Sequence, residues 1–214
     1  MTITLHGHSF STCTKRVAIV LQEKQVPFKF IEVDLPKGEH LKPAHLEKQP
    51  FGKIPYLDDD GYIIYESRAI ARYIAEKFAD QGPALIPTDL KAKGHFEQAA
   101  SVELANYDVY ISNAIFENMV KTYKGLTPDP EKFAALIASL EKTLDVYDNI
   151  LATQRYLAGD EITLADLFHV PPAVLLPIAG SNALLDRPNV ARWLKELTER
   201  PSWQAVKDGI TATA

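Results

Sequence analysis

Three stretches of this chain carry side chains able to do chemistry. Residues 7–17, Gly7-His8-Ser9-Phe10-Ser11-Thr12-Cys13-Thr14-Lys15-Arg16-Val17, put hydroxyls and the one cysteine where an alternating segment gives way to a helix. Residues 50–55, Pro50-Phe51-Gly52-Lys53-Ile54-Pro55, lead into a short apolar run, and Glu66-Ser67 opens a second helix. A helix start has free N–H groups, and with a hydroxyl it can seat a carboxylate. Glu66 would take an ammonium, and the backbone of Ile54, beside a proline suited to a strand edge, would take an extended main chain. Together these suit a small zwitterionic peptide. Each helix start also has a plainer reading as a cap, through Ser11 or Thr12 in the first and Glu66-Ser67 in the second. The spacing from Ile54-Pro55 to Glu66-Ser67 is what favours a binding site.

Other chemistries find less support. Gly7-His8-Ser9-Phe10-Ser11 approaches the G-x-S-x-G elbow of serine hydrolases but lacks its last glycine. Cys13 stands two residues past Ser11, rotated by about 200° around a helix at ~100° per residue, and is expected to pack inward. His6, His95 and His169 stand among apolar periodic residues and read as structural, without metal-ligand spacing. No glycine-rich phosphate loop is present.

The elements that must position these groups follow from periodicity. Residues 2–6 alternate as a strand, a helix runs to about Lys24 with Val17, Val20 and Leu21 inward, and Phe28–Val33 forms a second strand. Residues 35–50, with three prolines, should be mostly irregular. Ile54–Leu57 and Tyr62–Tyr65 form a hairpin around Asp58-Asp59-Asp60-Gly61, and the helix after Glu66 carries Ile70, Tyr73, Ile74 and Phe78. Asp80-Gln81-Gly82-Pro83 begins a linker. Beyond it, Phe96, Ala100, Leu104, Tyr107, Ile111, Ile115, Met119 and Tyr123 mark one long helical stripe. Phe133, Leu136, Leu140, Leu144, Tyr147 and Leu151 mark another. Thr163-Leu164-Ala165-Asp166 is a variant capping box, and Pro188 and Pro201 each start a helix. The expected layout is an α/β domain over residues 1–80, a linker at 81–90 and an all-α domain over 91–214.

These motifs, in this order, resemble the cytosolic glutathione S-transferases, and most closely their phi class. The resemblance rests on the first turn, Gly38-Glu39-His40, Pro50 to Pro55, Glu66-Ser67-Arg68-Ala69-Ile70 and Thr163-Leu164-Ala165-Asp166. It implies a thioredoxin-like domain with a cis Pro55, followed by a helical domain. It further implies that Ser11 activates glutathione, and that Thr12, His40, Lys53, Ile54, Pro55, Glu66 and Ser67 help to bind it as co-substrate. The implied activity is conjugation of the glutathione thiolate to apolar electrophiles, with reduction of organic hydroperoxides as a second activity. Phe10, Leu35, Met119, Tyr123 and Ile178 occupy the positions of the electrophile pocket. The resemblance also implies a homodimer, with Phe51 and the helix start near Phe96 as contacts. Ser9-Phe10 and Leu41 depart from the common phi pattern, and Lys53 stands where a glutamine is usual. The alternative functions are a non-catalytic ligand carrier or assembly module on the same fold, and a thiol–disulfide oxidoreductase acting through Cys13.

Energetics fit the serine role. A thiol of pKa ~8.5 needs roughly 2.7 kcal/mol of thiolate preference to fall by about two units. One hydrogen bond to the charged form supplies ~1.5–3 kcal/mol, and a helix N-terminus adds ~0.3–1 kcal/mol. A hydroxyl at the first turn is therefore enough, with no metal.

Composition bounds the rest. With 214 residues the chain has room for two modest domains. The net charge of −5, its acid excess falling after residue 80, argues against nucleic acid or an anionic membrane as partner. A single cysteine, no signal-peptide pattern and no bilayer-length apolar run point to the cytoplasm.

Overall fold

The computed structural model describes residues 3–213; Thr2, where the first strand was expected to begin, lies outside them, as do Met1 and Ala214. The chain divides into two compact units, Met1–Ile86 with Arg200–Ala214, and Pro87–Glu199.

In the first unit, β1 (Ile3–Gly7) leads through a turn into α1 (Thr12–Glu23), and β2 (Phe28–Glu32) returns parallel to β1. A short 3-10 turn (Glu39–Leu41) and α2 (Pro43–Leu46) interrupt the segment expected to be irregular. The hairpin β3 (Tyr56–Asp59) and β4 (Tyr62–Tyr65) completes a sheet ordered β2-β1-β3-β4, and α3 (Ser67–Lys77) follows. Leu5, Leu57, Val17, Leu21, Ile70 and Ile74 fill the core of sheet and helices.

Two expectations change here. Pro55 precedes an interior strand, since β3 lies between β1 and β4. The hairpin loop also shrinks to Asp60-Gly61, both at positive φ, which is the two-residue turn that matches strand twist. Asp58 and Asp59 join the strand instead of the loop. Asp59 is buried, where desolvation pushes its carboxyl up. Hydrogen bonds from Lys77 Nζ and the Tyr73 hydroxyl outweigh this and hold it below the ordinary value.

The second unit is helical. Residues 90–123 wind through α4 (Leu90–Val102), a π-helical stretch (Glu103–Asp108), α5 (Val109–Ile115), a second π-helical stretch (Phe116–Val120) and α6 (Lys121–Tyr123). Each π stretch slips the phase, since its backbone bonds span five residues instead of four. Glu103 is therefore buried where the stripe expected Leu104, which is exposed, and Glu117 is buried between Ile115 and Met119. After these come α7 (Pro130–Leu151), α8 (Leu164–Ala173) and α9 (Pro188–Thr198). Leu140, Leu144, Tyr147 and Leu151 of α7 are buried at the expected spacing. Asp166 caps α8 through Thr163 N (2.9 Å) and Oγ1 (3.0 Å), and also accepts from Leu157 N (2.9 Å) and Trp193 Nε1 (3.1 Å).

Residues 200–214, counted with the helical domain in the sequence reading, join the first unit. The short α10 (Pro201–Gln204) packs against α1. Arg200 Nε and Nη2 donate to Glu23 at 2.6 and 2.7 Å, and Ser202 Oγ donates to the same carboxylate at 2.5 Å. Further on, Lys15 Nζ donates to the Lys207 carbonyl (2.6 Å), and Thr213 exchanges two hydrogen bonds with Phe28 at the start of β2. Buried charges on α1 draw the tail in, and nothing in the periodicity signals this. Among the described residues no helix is long and apolar enough to cross a membrane.

Candidate active site

The turn between β1 and α1 is tightly held. Gly7 lies so close to Thr14 that an added Cβ would sit 2.5 Å from its methyl, so only glycine fits. His8 N donates to Thr14 Oγ1 (3.3 Å), and Ser9 donates from both N and Oγ to Glu32 at the end of β2. Glu32, absent from the sequence reading, thereby braces the turn. Ser11 is the N-cap of α1, with extended backbone, and its Oγ accepts from Thr14 N at 3.4 Å. An oxygen used as acceptor leaves its own hydrogen to be donated outward. Thr12 is the first residue of the helix and is half-buried.

The neighbouring loops bring in the rest. His40 lies in the 3-10 turn, and its Nδ1 is buried with no hydrogen-bond partner among the described residues. The backbone of Lys53 is fixed by His45 Nε2, which donates to its carbonyl (2.8 Å), and by Gln49 Oε1, which accepts from its N–H (3.1 Å). Its side chain is exposed. The Ile54–Pro55 peptide bond is cis, with Ile54 half-buried and Pro55 buried.

Glu66 and Ser67 do not cap α3 in the ordinary way. Glu66 occupies the N-cap position at φ 71°, in the left-handed region, and makes no side-chain cap bond. Its side chain is exposed. Ser67 is buried, and its Oγ accepts from Arg16 Nη1 at 3.0 Å. The same Nη1 lies 3.5 Å from Cys13 Sγ, so Cys13 is a half-buried acceptor of a weak hydrogen bond and not simply an inward-packed hydrophobe. A polar, non-periodic position between Lys15 and Val17 was the only signal for Arg16.

Of the expected electrophile-pocket residues, Phe10 and Leu35 belong to the first unit. Phe10 is 64% exposed, with Lys15 Nζ over its ring at 5.3 Å, and Leu35 is half-buried. An open cavity of about 410 Å³ borders Phe10, lined also by Ser9 and by Gln204, Asp208 and Ile210 of the tail, and no sequence pattern pointed to these three tail residues. Met119, Tyr123 and Ile178 belong to the second unit. Asn118 Nδ2 donates to the Ala179 carbonyl (2.6 Å), bringing the neighbours Met119 and Ile178 to one end of it. Tyr123 and Ile178 are largely exposed, so Tyr123 is no part of a helix–helix core.

Of the histidines, His6 stacks on Tyr56 and burial pushes its pKa down. His169 is buried and bonded at both nitrogens, to the Ala165 carbonyl and the Tyr147 hydroxyl. His95 is exposed and plays no part in the core. No group of three or more His, Cys, Asp or Glu side chains among the described residues could hold a metal.

A four-stranded sheet with a serine-capped first helix defines a thioredoxin-like domain, and the chain continues into an all-helical domain of the transferase type. Residues 5–83 match the family model of the glutathione S-transferase N-terminal domain, and residues 112–201 match that of the C-terminal domain. The chain belongs to the glutathione S-transferase family. It is 45% identical over 207 residues to glutathione S-transferase hmp2 of Hypomyces subiculosus, covering 95% of this chain and 96% of that one. Glutathione transferase F7 from Populus trichocarpa superposes with a TM-score of 0.92 at 38% identity, over 96% of this chain and 98% of the other. Glutathione S-transferase I from mais, in complex with an atrazine glutathione conjugate, does so at 0.88 and 31%, over 96% of each chain. Within the family the chain is most like the phi class.

Proposed function

We propose that this transferase binds glutathione along the first unit and joins its thiolate to apolar electrophiles, with organic hydroperoxides as further acceptors. The observation that carries the proposal is the state of Ser11. Its oxygen accepts from Thr14 N, so the hydroxyl hydrogen and the amino end of α1 remain to stabilise a thiolate. Glu66 takes the ammonium and Ser67 the carboxylate of the γ-glutamyl arm. Ile54 pairs with the central main chain, held in register by Pro55. His40 and Lys53 hold the glycine end, His40 from the 3-10 turn and Lys53 with its exposed side chain. Thr12 lends its N–H beside Ser11. Phe10, Leu35, Met119, Tyr123 and Ile178 receive the electrophile, and the exposed rings of Phe10 and Tyr123 suit aromatic substrates. Residues 1–80 act as the glutathione-binding domain, 81–90 as linker, and 91–199 as the helical domain.

The proposal places the enzyme in the cytosol, where glutathione is reduced, and makes it a homodimer. Phe51, 68% exposed and edge-on to Tyr65, offers an apolar anchor for a second copy. Phe96 itself is fully buried, so a contact at the start of that helix would use its exposed neighbours such as His95. The test is a chlorodinitrobenzene conjugation assay beside a mixed-disulfide reduction assay, with calorimetric titration of glutathione into His40→Ala, Lys53→Ala and Glu66→Gln. Conjugation without disulfide reduction, and weaker binding in the variants, is the expected result. Disulfide reduction alone would move the chemistry to Cys13, and normal affinity in all three variants would sink the site map.

A further inference from the structure

Arg16 is 1% exposed, a full charge inside the first unit. Burying a guanidinium costs several kcal/mol unless its donors are met, and an apolar residue of similar volume would fill the space without that cost. Its Nη1 meets Ser67 Oγ at 3.0 Å. A guanidinium has donors and no acceptor, so the Ser67 oxygen must be the acceptor and its hydrogen must point elsewhere. Ser67 is also the first residue of α3, where backbone N–H groups lack intrahelical partners.

We infer that Arg16 is a positioning residue for the carboxylate of glutathione's γ-glutamyl arm. It fixes the Ser67 hydroxyl as a donor and sets a cation behind the carboxylate seat. This inference rests on the site map proposed above. A serine free to rotate could offer the carboxylate a lone pair as readily as a hydrogen; with Arg16 on its oxygen, it offers the hydrogen. The charge acts through one hydroxyl, so Arg16 needs no direct contact with the ligand.

The experiment compares two ligands by calorimetry: glutathione, and glutathione amidated at the γ-glutamyl α-carboxyl. Arg16→Met should weaken glutathione about tenfold or more, the scale of a hydrogen bond to a charged group, while leaving the amide's affinity little changed. The KM for glutathione should rise with kcat and its pH profile unmoved. In a Ser67→Ala background, Arg16→Met should add little further loss, because the two act as one unit. Arg16→Lys keeps a cation without the fork and should fall between. It reads the same contrast if Arg16→Met does not fold. Equal losses for both ligands, or full additivity with Ser67→Ala, would overturn the inference and leave Arg16 a packing residue. If Ser67→Ala weakens glutathione while both Arg16 variants bind normally, the inference alone fails. If Ser67→Ala binds normally, the site map fails and takes the inference with it.

Discussion

The proposed function concentrates the chemistry in one hydroxyl, that of Ser11. Removing it takes away a bond of ~1.5–3 kcal/mol to the thiolate, so Ser11→Ala should lower conjugation at neutral pH by about tenfold to a hundredfold. Raising the pH should restore part of the rate, as hydroxide then makes the thiolate unaided. A pH–rate profile with the melting temperature alongside is the check, and an unchanged neutral rate would remove Ser11 from the mechanism. Ser11, Glu66 and Ser67 were legible in sequence because their types and spacing are tied to helix starts. Glu32, which braces Ser9, and Arg16, which bonds Ser67, were not. Both act across the fold, from β2 to the turn and from α1 to α3, and no local pattern records such pairings.

At the scale of elements, two of the buried carboxylates in the helical unit, Asp166 and Glu117, contribute to its stability in testable ways. Asp166 receives four donors at the start of α8. Asp166→Ala should cost about 0.5–2 kcal/mol for the cap alone, and more for the donors it strands. The melting temperature should fall, with near-normal activity per folded molecule. A variant that melts normally but is inactive would contradict this. Glu117 sits in the second π stretch, where a hydrogen bond from Lys121 foremost, then Asp129 N–H and Lys132, hold its carboxyl at about 2 against an ordinary 4.5. A lowered folded pKa means stability that is complete above pH 4.5 and drains away as pH falls toward about 2. Glu117→Gln should therefore melt well below the parent at pH 7, with the gap closing across that window. A gap independent of pH would show that the charge of Glu117 contributes nothing. The capping box was readable because its four residues are contiguous. The π stretches were not, because a phase slip shows only once side chains have chosen a face: Leu104 fits the stripe yet lies outside, and Glu103 lies inside.

For the whole molecule, two-part organisation was readable from the change of periodicity near residue 80, and the path of the tail was not. The proposed dimer adds a further level. Sedimentation at micromolar concentration should give about twice the 23.8 kDa chain mass, and Phe51→Ala should shift the protein toward that single-chain mass. A parent enzyme sedimenting as a single chain would reject the homodimer.

The return of residues 200–214 to the first unit has a consequence for synthesis. Glu23 and Lys15 are buried, and their partners Arg200, Ser202 and Lys207 lie at the far end of the chain. On a ribosome, the region up to residue 86, proposed to hold glutathione, emerges ahead of residues 200–214 and waits for them before its inner charges are met. A buried carboxylate stripped of its partner costs about 3–5 kcal/mol, a large share of a small domain's stability. The nascent amino-terminal region should therefore stay unstable until residues 200–214 have been made, and a gene fragment stopping at residue 86 should yield an unstable product. A circular permutant that places residues 200–214 ahead of Ile3 should let that region fold as it is made.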